Sequence, residues 1–266
     1  MKNEIKLILD TIRTHNKKKD QWSYLTSIEY MLKSKLYVDS LYQDSNKVTS
    51  YISNRNCKIL DLGTGSGVFA ILLRKLNKNV KIYAIDAFKD KSQKNPNFKD
   101  TFNQQKMIWN DFNKIFKINF THYDGLKIPF SDNTFDIVTA YAVIEHIEPK
   151  ILDKVFSDIK RVLKEDGLFF IFKTPRKLAY TEYLAGFLGL GRHDILYGDF
   201  EIKQILFRNH FNLVENWKSN MVFDFPWKIT NLFYTPLKVI GAVLPYSPFR
   251  LFAHHNNFVL RKNKNG

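Results

Sequence analysis

The chain has 266 residues, 44% of them hydrophobic and 25% charged, with a formal net charge of +15. That length suits one large domain with appendages, and the apolar share provides a sizeable core and excludes disorder except at the polar tail Lys262-Asn-Lys-Asn-Gly266. The single cysteine, Cys57, excludes an internal disulfide and suits a reducing compartment, while the positive balance favours nucleic acid or acidic lipid unless the lysines are only a solvated coat.

The opening residues carry charges through their apolar stretch and show no signal-peptide core, and the one local cationic run is Lys17-Lys18-Lys19. Ile5, Leu9 and Ile12, then Tyr30, Leu36, Leu41, Val48 and Ile52, recur at helical spacing, so residues 1–56 read as a helical cap. From Lys58 the pattern changes. Lys58-Ile-Leu-Asp-Leu62 reads as a strand, followed by Gly63-Thr-Gly-Ser-Gly67 and a helix carrying Val68, Phe69, Ile71, Leu72 and Leu76. Lys81–Ile85 is a second strand ending at Asp86, and Phe102, Ile108, Trp109, Phe112, Ile115 and Phe116 mark a helix. Ile118–Phe120 is a short third strand, and Phe135–Tyr141 a fourth. A helix over 150–163 follows, with Gly167 as a stop before strand Leu168–Phe172. A helix over 199–209, a strand from Phe211 to Trp217 and a last strand, Phe258–Leu260, complete the series. Strands alternating with helices, and apolar on both faces, predict an α/β fold with a mostly parallel sheet covered on both sides. No stretch reaches the roughly 18 apolar residues that a membrane-spanning helix needs.

Such sheets bind ligands at the carboxyl ends of their strands. Asp61 and the glycines follow the first strand, Asp86 ends the second, Asp124 follows the third and Tyr141 ends the fourth. Glycines let a strand turn sharply into a helix while the backbone passes close to a ligand, and the helix start offers N–H groups to an anion. Asp86, about twenty residues on, suits both hydroxyls of a ribose. The loop reads G-x-G-x-G with Val68 where a dinucleotide fingerprint wants Gly or Ala, which argues against an oxidoreductase, and it lacks the Lys-Ser/Thr of a phosphate loop. The carboxylates could instead cap helices or decorate the surface.

Taken together, Ile59-Leu-Asp-Leu-Gly-Thr-Gly-Ser-Gly67, Tyr83-Ala-Ile-Asp86, Asp124-Gly125, Ile128-Pro-Phe-Ser-Asp-Asn-Thr-Phe-Asp-Ile-Val138, Glu145-His-Ile147 and Val162-Leu-Lys-Glu-Asp-Gly-Leu168 resemble the class I S-adenosylmethionine-dependent methyltransferases. The resemblance covers roughly residues 57–218 and implies a Rossmann-like fold with a seven-stranded sheet. It implies that Asp61, Gly63, Gly65 and Gly67 surround the methionine part of the cofactor. It places the ribose on Asp86, the adenine beside Ala87, Asp124 and Gly125, and the sulfonium beside Tyr141. The Ile-Pro-Phe…Phe-Asp-Ile-Val and Glu-His pattern resembles the branch acting on small molecules, quinones and lipids.

An oxygen acceptor benefits from a base, and His146, after the fourth strand, is the candidate; it and Glu145 could equally be helix-start residues. His193 is a weaker candidate. The pair His254-His255 lacks carboxylate or cysteine partners at ligand spacing, so no metal is expected. The Asn/Asp-Pro-Pro-Tyr/Phe motif of base-amine methylation is absent, which makes nucleic acid an unlikely acceptor. An RNA methyltransferase, or a cofactor binder without turnover, is the alternative. Residues 219–255 are apolar and aromatic, broken by Pro226, Pro236, Pro245 and Pro248, and read as a cover for a greasy acceptor that touches an anionic membrane, as packing, or as a lid. Residues 256–266 are the last strand and tail. The expected location is cytoplasmic, at the inner face of the membrane.

Overall fold

A computed structural model describes residues 2–16, 24–52, 56–87, 97–189 and 193–263. The Lys17–Lys19 run and the last three residues of the tail lie outside them. Seven strands form one sheet in the order β3-β2-β1-β4-β5-β7-β6. They are β1 (Lys58–Leu62), β2 (Lys81–Asp86), β3 (Asn119–His122), β4 (Phe135–Tyr141), β5 (Leu163–Pro175), β6 (Phe211–Ser219) and β7 (His255–Lys262). The pairs β1 with β4, β2 with β3 and β4 with β5 are parallel, whereas β7 runs antiparallel to both β5 and β6. This is the mostly parallel α/β sheet that the alternating pattern predicts.

Chain contacts divide the molecule into two compact units: residues 1–56, 64–125 and 224–234, and residues 57–63, 126–223 and 235–266. The first unit holds α1 (Lys2–His15), α2 (Tyr24–Lys33), α3 (Lys35–Thr49), α4 (Val68–Leu76), α5 (Asn97–Phe116) and α9 (Trp227–Leu232) besides β2 and β3. Of the expected N-terminal apolar positions, Ile5, Ile12, Leu41 and Val48 are buried, whereas Leu9, Tyr30, Leu36 and Ile52 are half-buried; Ile8, Leu25 and Leu32, which the spacing did not single out, are buried with them. Glu29 takes hydrogen bonds from Arg13 and Asn16, at 3.2 and 2.9 Å, and joins α1 to α2. Asn231 of α9 bonds Lys35 N–H and Lys33 C=O, each at 2.8 Å, so the junction of α2 and α3 is held by a residue nearly 200 positions away.

The second unit holds β1 and β4 to β7 with α6 (Pro149–Val162), α7 (Tyr180–Phe187), α8 (Asp199–Arg208) and, but for its first residue, α10 (Tyr234–Val243). Phe169, Phe170 and Phe172 of β5 and Phe258 of β7 are fully buried. Arg176 is buried as well. It forks onto Asp199 at 2.6 and 2.8 Å and donates to the carbonyls of Leu251 and Ala253 at 2.9 and 2.7 Å.

Three boundaries differ from the periodicity. The third strand spans Asn119–His122 instead of Ile118–Phe120, because Lys117 takes a left-handed φ of 56° after α5 and the chain regains extension only beyond it. Gly167 is no stop: β5 already begins at Leu163, directly after α6, and Gly167 sits inside it where a Cβ would lie 2.9 Å from the Lys164 carbonyl oxygen. The last strand is longer than its apolar centre, since Asn256 and Asn257 continue its pairing with β6.

Candidate cofactor and acceptor site

In the first unit the loop from Thr64 to Gly67 leads into α4. Thr64 N–H donates to the Ile85 carbonyl at 3.0 Å, so the turn is laid against the end of β2. Gly65 N–H donates to Asp86 Oδ2 at 2.6 Å, and Gly65 C=O accepts from Gln105 Nε2 at 2.6 Å and Trp109 Nε1 at 3.0 Å. Gly67 starts α4 with φ of 85°, and a Cβ there would meet the Phe120 ring at 2.7 Å. Only glycine fits that turn. Burial pushes the Asp86 carboxyl up to about 6, against the Gly65 N–H that favours its charged form. Trp109 stacks on Phe120 and His122, with centroids 5.3 and 4.3 Å apart, and burial pushes His122 down to about 4, helped by Lys106. Ala87 follows Asp86 half-buried, Asp124 is exposed, and Gly125 is buried with φ of 77°.

In the second unit Asp61 is buried on β1 and accepts from Thr139 Oγ1 of β4 at 2.7 Å. Gly63 has φ of 68°, and a Cβ would lie 2.6 Å from Val143 Cγ2. Tyr141 closes β4, its ring 5.9 Å from that of Phe172 and 5.9 Å from Lys173 Nζ. Ala142 and Lys173 next to it both have positive φ, 54° and 62°, an uncommon conformation for residues with side chains. A short 3-10 turn over Ile144–His146 then points its neighbours in opposite senses: Glu145 is buried and His146 exposed. Burial pushes the Glu145 carboxyl up to about 7. His146 lies 6.0 Å from His193, ring to ring.

The structure therefore joins Gly65 to Asp86 in one unit; in the other it joins Asp61 to Thr139 of β4 and sets Gly63 against Val143, just ahead of the Glu145-His146 turn. Sequence reasoning missed Gln105 and Trp109, which fix the loop from a helix forty residues away; Trp109 reads only as part of an apolar stripe. It also missed Glu182, which accepts from His193 Nδ1 at 2.8 Å and His254 Nε2 at 2.5 Å.

A carboxylate held at a strand end by the N–H of a glycine turn suits a ribose beside a compact charged group, and Gly67 at the end of that turn leaves no room for a side chain. This donor set fits an adenosine cofactor. The fold is that of the class I, S-adenosylmethionine-dependent methyltransferases. The methyltransferase-domain family matches residues 60–171, and the cofactor of this family and fold is S-adenosylmethionine. The chain is 40% identical over 57 residues to sterol 24-C-methyltransferase ERG6B of Gibberella zeae, covering 21% of this chain and 14% of that one. It is 30% identical over 122 residues to the ubiquinone/menaquinone biosynthesis C-methyltransferase UbiE of Rickettsia prowazekii, covering 44% of each. The chain thus spans less than half the length of both relatives. A solved structure described as a candidate sarcosine dimethylglycine methyltransferase from Galdieria sulphuraria shares the fold, with a TM-score of 0.55 at 17% identity over 85% of this chain and 86% of that one.

Proposed function

We propose that this chain moves the methyl group of S-adenosylmethionine to a small, lipid-like acceptor at oxygen. One observation carries the acceptor class: the segment after β6 presents apolar surface to solvent. No residue of α10 is buried, and Leu232, Tyr246 and Phe249 are 78%, 91% and 61% exposed. Isolated exposed apolar residues are ordinary, but a run of this length marks a contact with something greasy. The names of the sterol and quinone methyltransferases above agree with such an acceptor.

In this reading residues 1–56 are the cap, 57–218 hold the cofactor, 219–255 cover the acceptor and 256–266 close the sheet. Asp86 accepts both ribose hydroxyls, and Ala87, Asp124 and Gly125 border the adenine. Asp61, Gly63, Gly65 and Gly67 border the methionine part, and Tyr141 the sulfonium. The bound cofactor supplies an electrophilic methyl group on its sulfonium. The chain's own contribution is orientation, which in-line displacement rewards strongly, and removal of the acceptor proton. His146 takes that proton, with Glu145 beside it. The protein acts in the cytoplasm, at the inner face of the membrane.

A second reading, transfer to carbon, has one observation behind it: both named relatives are C-methyltransferases. Radiolabelled methyl transfer into cell extract, partitioned into lipid, nucleic acid, protein and soluble fractions, tests the class. Label in the lipid fraction is expected, and release of the label as methyl iodide by hydriodic acid separates a methyl on oxygen from one on carbon. Label confined to RNA would overturn the proposal.

A further inference from the structure

Glu182 sits in the first turn of α7 and is 2% exposed. Its Oε1 faces two imidazole nitrogens, His193 Nδ1 at 2.8 Å and His254 Nε2 at 2.5 Å. Its Oε2 is taken by the His193 backbone N–H at 3.1 Å. The three side chains come from three places in the second unit: α7, the loop after it and the approach to β7. One ligand atom of each lies within 4.8 Å of the others. In tetrahedral zinc sites, with bonds of about 2.0–2.1 Å, neighbouring ligand atoms stand roughly 3.3 Å apart. Coordination thus asks the two carboxylate–imidazole gaps to open by less than about 1 Å and the two imidazole nitrogens to close by at most about 1.5 Å.

We propose that Glu182, His193 and His254 form a site for a divalent transition-metal ion of the zinc class. Two imidazoles and one carboxylate are a recurrent donor set for such ions and leave a position open for water or an acceptor oxygen. The surroundings suit a cation. Glu145 is a second buried carboxylate, and its Oε2 has no hydrogen-bond partner among the described residues. It groups with His146 and His193, so His193 stands between two buried carboxylates. His255 stacks on His254 at 3.9 Å with an interplanar angle of 14° and fixes that ring. The side chains of His193 and His254 are 35% and 23% exposed, which gives an ion a path from solvent. His254-His255 alone suggests no metal. The carboxylate that completes the set lies 72 residues away and is invisible to spacing.

The test uses the full chain without a histidine tag, stripped with a chelator. Calorimetric titration with zinc chloride should show one equivalent bound, and cobalt(II) chloride should give the intense visible bands of a four-coordinate ion. Glu182→Gln and His254→Ala should each weaken zinc binding by at least about tenfold to a hundredfold. Binding unchanged in both folded variants would overturn the site. So would a loss confined to His146→Ala, which would move the ion onto Glu145, His146 and His193. Should the variants unfold, X-ray absorption of the zinc-loaded wild type decides: two imidazole nitrogens and at least one oxygen are expected, and a spectrum with fewer than two imidazoles would refute the assignment.

Discussion

At the scale of single residues, the most exacting position is Asp86. Its Oδ2 is committed to Gly65 N–H, and in the function proposed above the rest of the carboxylate takes the ribose. Removing a buried hydrogen-bond partner costs about 1–3 kcal/mol, so Asp86→Ala should weaken S-adenosylmethionine binding roughly ten- to a hundredfold in a calorimetric titration. Normal binding by the folded variant would dismiss this assignment. The pH dependence has a definite sign. With its carboxyl raised to about 6, Asp86 is protonated at lower pH and loses its pull on the hydroxyls. Affinity should therefore fall as pH drops below 6, roughly tenfold by pH 5, and Asp86→Asn should flatten that profile. The same upward shift means that Asp86 holds more protons folded than unfolded, so its own contribution to stability declines as pH rises from its ordinary carboxylate range to about 6. At the turn after β4, His146→Ala should lower turnover by about 10²–10⁴-fold while cofactor affinity stays the same. A loss under tenfold, paired with a large loss in Glu145→Gln, would hand the proton to Glu145, whose burial already brings its carboxyl to about 7.

At the scale of elements, what was legible in the sequence is what repeats with a short period. β1, β2 and β4 are apolar runs bounded by polar turns, and α6 shows its buried face, Val155, Ile159 and Val162, in plain spacing. The loop glycines and Asp61 and Asp86 are legible for the same reason, because strand ends place them. Residues brought together by tertiary structure were not: Gln105 and Trp109 reach the loop across α5, and Asn231 reaches the α2–α3 junction from α9. Arg176 is the clearest case, a charge after an aromatic strand that reads as surface and is only 1% exposed. It joins the end of β5, the start of α8 and the approach to β7. Arg176→Ala strips the Leu251 and Ala253 carbonyls of their buried donor, while Asp199, 36% exposed, keeps Lys218 and Asn256. Losing buried hydrogen-bond partners costs about 1–3 kcal/mol, so the melting temperature should fall by several degrees. Burial alone would raise Asp199, but Arg176, Lys218 and Asn256 outweigh it and hold the carboxyl well below its usual range. A depressed carboxylate stabilises the fold above its unfolded pKa, about 3.9, and that contribution is lost as pH falls through the folded value. Wild-type melting temperature should thus drop on acidification below about pH 4, and the Arg176→Ala variant should lose less over the same range.

At the scale of the whole molecule, 41 cationic against 26 anionic side chains meet a segment whose apolar residues face outward. The segment is not uniform. Residues 224–234 are docked in the first unit, where Asp224 accepts from Thr230 at 2.7 Å and Trp227 N–H donates to Tyr30 at 3.2 Å. Beyond them α10 and the 3-10 turns over Leu244–Tyr246 and Pro248–Phe252 have no buried residue. No helix among the described residues is long and apolar enough to cross a membrane. An interfacial contact needs only aromatic and aliphatic side chains that reach the headgroup boundary, with cations nearby, and each Lys or Arg close to an anionic surface adds about 1 kcal/mol. Sedimentation with vesicles containing phosphatidylserine should pull the protein down. Raising the salt should weaken this, because the screening length falls from about 10 Å at 0.1 M to about 3 Å at 1 M. Trp227 is a poor place to test the contact, since it is half-buried in the docked part. Tyr246→Glu with Phe249→Glu removes two of the most exposed rings without touching a buried contact, so the melting temperature should hold while pelleting disappears. Pelleting that survives the double variant would take these rings out of the membrane contact, and a wild type that stays in the supernatant but loses a stable dimer in that variant would assign them to packing between copies of the chain.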